Sequence, residues 1–156
     1  MLSPRAIGLG LALLVLIADQ ASKPWLLALM ERNPGGVEVT PFFNLVMVWN
    51  RGVSFGLFSD DSDTRRILLI LAASGITLWL LFWLWRGATR LVSVALGMVI
   101  GGAVGNIFDR LRYGAVADFF DFHLAGWHWP AFNIADCAIV VGVGLLLFDS
   151  FLPRRS

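Results

Sequence analysis

The sequence predicts an all-α membrane protein of four transmembrane helices, with a small extracytoplasmic β-sheet in the first outer loop. Three observations carry this. Hydrophobic residues make up 58% of the 156-residue chain and charged residues only 15%, against about 25% charged in an ordinary soluble domain. Positions 67–85 and 91–108 contain no formal charge, and crossing a bilayer takes about 20 predominantly apolar residues. Positions 37–40 and 42–50 are rich in β-branched and aromatic residues, the composition of short strands. Other classes are excluded. Twelve Lys and Arg against eleven Asp and Glu leave a net charge of +1, which gives no basis for binding nucleic acid. The single cysteine, Cys137, excludes a disulfide framework and a thiolate metal cluster. The apolar content excludes intrinsic disorder.

The chain reads as one integral membrane domain, 1–156, with spans at about 6–28, 66–86, 91–110 and 132–151 and an outer loop at 31–65. The first span begins with the apolar run 6–18, is interrupted by Asp19 and Lys23, and resumes to Met30. No small-residue cleavage site follows it, so it reads as a retained span and not as a secretory signal. Pro24 is expected to kink or loosen its outer end. The outer loop opens on the turn signal "NPGG", and "SDDSD" closes it as a solvated turn and helix cap before Arg65. In the third span Gly97, Gly101 and Gly105 recur every four residues, a stripe that lets another helix approach closely in lipid. The fourth apolar run, 137–148, needs 132–136 to reach spanning length. Arg5, Arg86, Arg90, Arg154 and Arg155 concentrate in short segments, which places both termini and the 86–90 turn in the cytoplasm. Trp83 and Trp85 then fall at the inner interface, and Trp25, Trp127 and Trp129 near the outer one.

The polar residues inside this apolar chain are functional-site candidates, because an ionisable group in a span is costly. Asn106 and Arg110 share a helix face with Asp109 beside it, and Asn133 and Asp136 share the face that opens the fourth span. Asp136 lies about 27 Å along a helix from Arg154, so it sits near the outer surface, and Asp118, following the outer end of the third span, sits at a similar depth. Two carboxylates that meet there cannot both ionise cheaply, so one pKa rises. Such a pair sharing a proton is the arrangement of aspartic proteases. Singly, each has a blander account: Asp118 as an interfacial partner of Arg110 or Arg112, Asp136 as a helix N-terminal charge. With Asn106, Arg110 and Asn133 at the same level, a common site accounts for more. Asp19 and Lys23, at i and i+4, either neutralise each other or help shape a cleft, and a long lysine side chain can also snorkel to the interface. His123 and His128 do not share a helix face and read as interfacial side chains, not metal ligands. Cys137 reads as a small packing residue.

Together "DQASK" at 19–23, "NRGVSFG" at 50–56, "GGAVGNIFDR" at 101–110, "VADFFDF" at 116–122 and "FNIADCAI" at 132–139 resemble the lipoprotein signal peptidases, or signal peptidase II. The resemblance runs in order over nearly the whole chain. It implies a bacterial inner-membrane aspartyl endopeptidase that cuts prolipoproteins just before a Cys carrying diacylglycerol, with its active site near the outer face. It implies Asp118 and Asp136 as the catalytic pair. Supporting or substrate-binding positions fall on Asp19, Lys23, Asn50, Gly52, Asn106, Asp109, Arg110 and Asn133. It further implies no metal or other cofactor, inhibition by the cyclic peptide globomycin, a lipid-bilayer setting and a sufficient monomer. The alternative reading, a small carboxylate-based proton or cation carrier, expects its carboxylates near the midplane, whereas here they cluster at one interface.

Overall fold

The structure, a computed structural model, describes residues 2–52 and 62–152. The expectations resting on the "SDDSD" turn, on 53–56 of "NRGVSFG" and on Arg154 and Arg155 lie largely or wholly outside them. In chain order the elements are α1 (Pro4–Arg32), β1 (Val37–Thr40), β2 (Phe43–Asn50), α2 (Ser62–Gly87), α3 (Arg90–Tyr113), β3 (Val116–Leu124), β4 (Trp127–His128) and α4 (Ile134–Phe151). All four helices are long and apolar enough to cross a membrane.

Local chemistry sets the helix ends. The Ser3 hydroxyl accepts from the Ala6 amide with Pro4 at the first position of α1, and the Thr89 hydroxyl accepts from the Val92 amide to start α3, each satisfying an amide that the helix leaves open. Gly114, at φ 76°, ends α3 in the left-handed conformation that glycine adopts without strain. α1 runs through Pro24 unbroken to Arg32. α3 is the central helix and packs against the other three. Its glycine stripe explains how closely: a Cβ at Gly97 would strike the Gly8 carbonyl oxygen, and one at Gly101 would stand 2.5 Å from that of Ala12. Gly102 and Gly142 do the same service between α3 and α4, against the carbonyls of Ala135 and Ala95. With no hydrophobic drive between helices in lipid, such close backbone approach is what holds them. α2 shows the opposite face of that rule: Leu71, Leu78, Trp79 and Phe82 all point outward.

The sheet at one end of the bundle is antiparallel, in the order β1-β2-β3-β4. The sequence placed strands only in the loop after α1, but β3 and β4 follow α3 and complete the sheet. The period of β3 was hidden because Val116 to Phe119 are all buried, which removes the alternation of a half-buried strand, and β4 is only two residues long. The fourth helix also begins later than expected. Phe132 belongs to the sheet: its carbonyl accepts from the Phe119 and Phe120 amides at 3.0 and 2.9 Å, and its own amide donates to the Phe120 carbonyl. One apolar cluster, around Leu84, Leu96 and Ile100, lies toward the far end of the bundle. A second, around Leu26, Met30, Ala117 and Phe119, lies under the sheet. Along α1 the charged residues Asp19 and Lys23 fall between them. Arg5 lies over the Trp85 ring at 5.5 Å, so the start of α1 and the end of α2 share the end away from the sheet.

Candidate active site

The pairing of Phe132 with β3 sets the start of α4 beside Asp118. Asn133 then caps α4 in a reciprocal box. The Asp136 amide donates to Asn133 Oδ1 at 3.0 Å and the Asn133 amide donates to Asp136 Oδ2 at 3.2 Å. The same Asn133 side chain donates from Nδ2 to Asp118 Oδ1 at 2.7 Å. One residue therefore binds both carboxylates. Asn106, from α3, donates to Asp136 Oδ1 at 2.8 Å. Asn50, from the end of β2, donates to Asp118 Oδ2 at 3.0 Å. Val48 stands opposite Asp118 in the register, so Asn50 reaches it on the diagonal of the same sheet face. Gly52 orients that amide: at φ 92° its own N–H donates to Asn50 Oδ1 at 2.9 Å, leaving Nδ2 for Asp118.

Asp118 is 1% exposed, while Asp136 is partly open to the surface. Burial raises the Asp118 carboxyl to about 6, aided by the charge of Asp136 and opposed by the hydrogen bonds of Asn50 and Asn133 and by Lys23. Asp136 lies in the first turn of α4, where the helix dipole attracts negative charge. The half-buried Arg110 donates to the Asn106 carbonyl at 3.2 Å and faces Asp136, Asp118 and Asp109 electrostatically. Neither member of the pair forms an ion pair among the described residues. The bland pairing of Asp118 with Arg110 or Arg112 is thus replaced by two amides, and Arg112 lies over the Tyr113 ring.

The remaining candidates form a second cluster. Asp19, Lys23 and Asp109 are 0%, 2% and 0% exposed. Lys23 Nζ sits 2.6 Å from Asp19 Oδ2 and 2.7 Å from Asp109 Oδ2. The spacing of Asp19 and Lys23 foretold half of this; Lys23 neither snorkels nor pairs with Asp19 alone. Asp19 Oδ1 accepts from the Ala135 amide at 3.1 Å, and Asp109 Oδ2 from the Ala117 amide at 3.2 Å. A Cβ at Gly105 would stand 2.7 Å from Asp19 Oδ2, so glycine there leaves room for the carboxylate. Sequence reasoning missed Gln20, whose Nε2 donates to Asp19 at 3.0 Å and to Asp109 at 2.9 Å. Its place inside "DQASK", between the two charged residues, was the available signal.

Asp121, the other carboxylate of β3, points elsewhere. It binds His128 Nδ1 at 2.9 Å and accepts from Asn44 at 3.2 Å. Burial pushes it up, but those hydrogen bonds outweigh it and hold it below the usual carboxylate value. The His123 and His128 rings stack at 4.9 Å. Among the described residues no group of three or more His, Cys, Asp and Glu could hold a metal ion.

Comparison with known proteins bears on this geometry. The profile of the family described as "Signal peptidase (SPase) II" matches residues 11–152. A lipoprotein signal peptidase of Nitrobacter hamburgensis is 49% identical over 97% of this chain and 95% of its own. One of Methylocella silvestris is 43% identical over 99% and 91%. A solved structure described as "Bacterial membrane enzyme structure by the in meso method at 1.9 A resolution" superposes with a TM-score of 0.80 at 28% identity, over 94% of each chain.

Proposed function

The chain belongs to the signal peptidase II family of multi-pass bacterial membrane peptidases that process prolipoproteins, and from that premise we propose how its residues act. Asp118 and Asp136 are the catalytic pair, and the observation that supports this is Asn133, hydrogen-bonded to both. The raised, buried Asp118 carries the shared proton, and the surface-facing Asp136 is the anion. Asp136 takes a proton from water as the oxygen adds to the scissile carbonyl carbon, while Asp118 gives its proton to the carbonyl oxygen. The tetrahedral diol then collapses. Asp136 returns its proton to the departing amine, the C–N bond breaks, and Asp118 recovers a proton from the diol. The departing amine is the α-amino group of the diacylglyceryl-Cys, whose acyl chains stay in the bilayer. Arg110 and Asn106 have donor groups at the pair, suited to holding the substrate backbone.

The whole chain acts as one membrane domain and as a monomer, with both termini cytoplasmic, the sheet outside and the cleft open to globomycin. The purified protein in detergent is expected to release the signal peptide from a lipidated precursor at the same rate with and without EDTA. Loss of activity restored by a divalent ion would turn the pair into metal ligands. Orientation has its own check: in a Cys137-free background, an impermeant thiol reagent applied outside should label a cysteine at 35 and spare one at 88.

A further inference from the structure

We infer that the buried cluster of Asp19, Lys23 and Asp109, bridged by Gln20, is the positioning clamp of the catalytic pair. This rests on the assignment of Asp118 and Asp136 and adds to it what sets their separation. The two acids of the cluster do not merely balance a lysine, since two carboxylates face one ammonium. Each also makes a contact that the other cannot. Asp19 accepts from the amide of Ala135, the residue just before Asp136, at 3.1 Å. Asp109 accepts from the amide of Ala117, the residue just before Asp118, at 3.2 Å. The Ala135 amide is one of the open donors of the first turn of α4; Asn133 satisfies its neighbour at Asp136, and Asp19 satisfies this one from another helix.

Lys23, at 2.6 and 2.7 Å, and Gln20, at 3.0 and 2.9 Å, then tie the two holding carboxylates to each other. The chain of contacts runs from the backbone before Asp136, through Asp19, Lys23 and Asp109, to the backbone before Asp118. It joins α4 to β3 beneath the site, while Asn133 joins them at the site. The three charged residues are at most 2% exposed, so they work through the groups they hold and not on the substrate.

The test measures kcat and KM on a lipidated precursor peptide, using the full chain in detergent, with activity normalised to the folded fraction from an unfolding curve. Asp109→Asn keeps an oxygen for Ala117 and Lys23 but loses the charge that binds Lys23 and the second oxygen that accepts from Gln20. Gln20→Met keeps side-chain length and the cluster's charge but removes the bridge, and it reports where the charge variant fails to fold. Both are expected to lower kcat about 10–100-fold with KM within about twofold, the effect of misplacing reacting groups by about 1 Å. A loss that only tracks the unfolded fraction, or folded Gln20→Met with kcat within about twofold of the parent, overturns the clamp. Asp118→Asn in the same assay separates the two ideas. If it turns over normally, the catalytic assignment fails and the clamp with it; if it is inactive while Gln20→Met is fully active, only the clamp fails.

Discussion

The bundle carries two pairs of buried or half-buried carboxylates at one end, and they are held in opposite ways. Asp19 and Asp109 share an ammonium, that of Lys23. Asp118 and Asp136 share a residue, Asn133, whose side-chain amide donates to Asp118 and whose backbone amide donates to Asp136, with Asn50 and Asn106 on their other oxygens. A lysine supplies charge as well as position. An asparagine orients a carboxylate while leaving its charge uncompensated, so a proton has a reason to stay. On the proposed assignment the difference separates a structural acid from a reactive one more sharply than burial does, since Asp118 is as buried as Asp109.

The largest test of this contrast removes the proton carrier without changing shape. Asp118→Asn and Asp136→Asn should each lower kcat at least about 10³-fold, with expression and unfolding temperature near the parent's, and the double variant should be scarcely worse than either. Asp121→Asn is the internal control. It sits on the same strand but binds Asn44 and His128, and should keep activity within a few-fold. Full turnover by either member of the pair would erase the distinction.

The converse test removes the cation. Lys23→Met leaves Asp19 and Asp109 facing each other in a buried layer, and breaking a buried pair from one side costs about 3–5 kcal/mol. The expected result is a large drop in unfolding temperature and in yield. Adding Asp109→Asn, which removes the second uncompensated charge, should recover part of the stability. A Lys23→Met protein as stable as the parent would mean that the cluster is not held by its charge.

Which parts of this could be read from the chain follows from how local each signal is. The spans are legible because lipid demands long charge-free runs, and depth along α4 was enough to place Asp136 level with Asp118. The Asp19–Lys23 contact is legible because i and i+4 share a helix face. The second partner, Asp109, is not, because it depends on the register between α1 and α3, set by Gly97, Gly101 and Gly105 meeting the backbone and side chains of Gly8, Ala12 and Asp19. β3 was hard to read as a strand because its first four residues, Val116 to Phe119, are all buried and show no alternation. The double role of Asn133 needed the Phe132 bridge to β3, a contact between distant segments.

The finest test adjusts the amide-held pair without breaking it. Asn50 donates to Asp118 Oδ2 at 3.0 Å, which favours the ionised form and works against the burial that raises the group to about 6. A catalytic pair that must keep one proton loses activity as pH rises through the value at which that proton leaves. The alkaline limb of kcat/KM in the parent is therefore expected near 6. Asn50→Ala removes a stabiliser of the anion, so the proton is retained to higher pH and the limb moves up. A hydrogen bond to a charged group is worth roughly 1.5–3 kcal/mol and one pH unit about 1.4 kcal/mol, so with water partly replacing the lost donor the shift should be about one unit. The rate at the optimum should fall only several-fold, because Asn133 still holds Asp118 Oδ1 at 2.7 Å. A limb that stays in place, or moves to lower pH, would mean that Asp118 is not the member carrying the proton, and would transfer that role to Asp136.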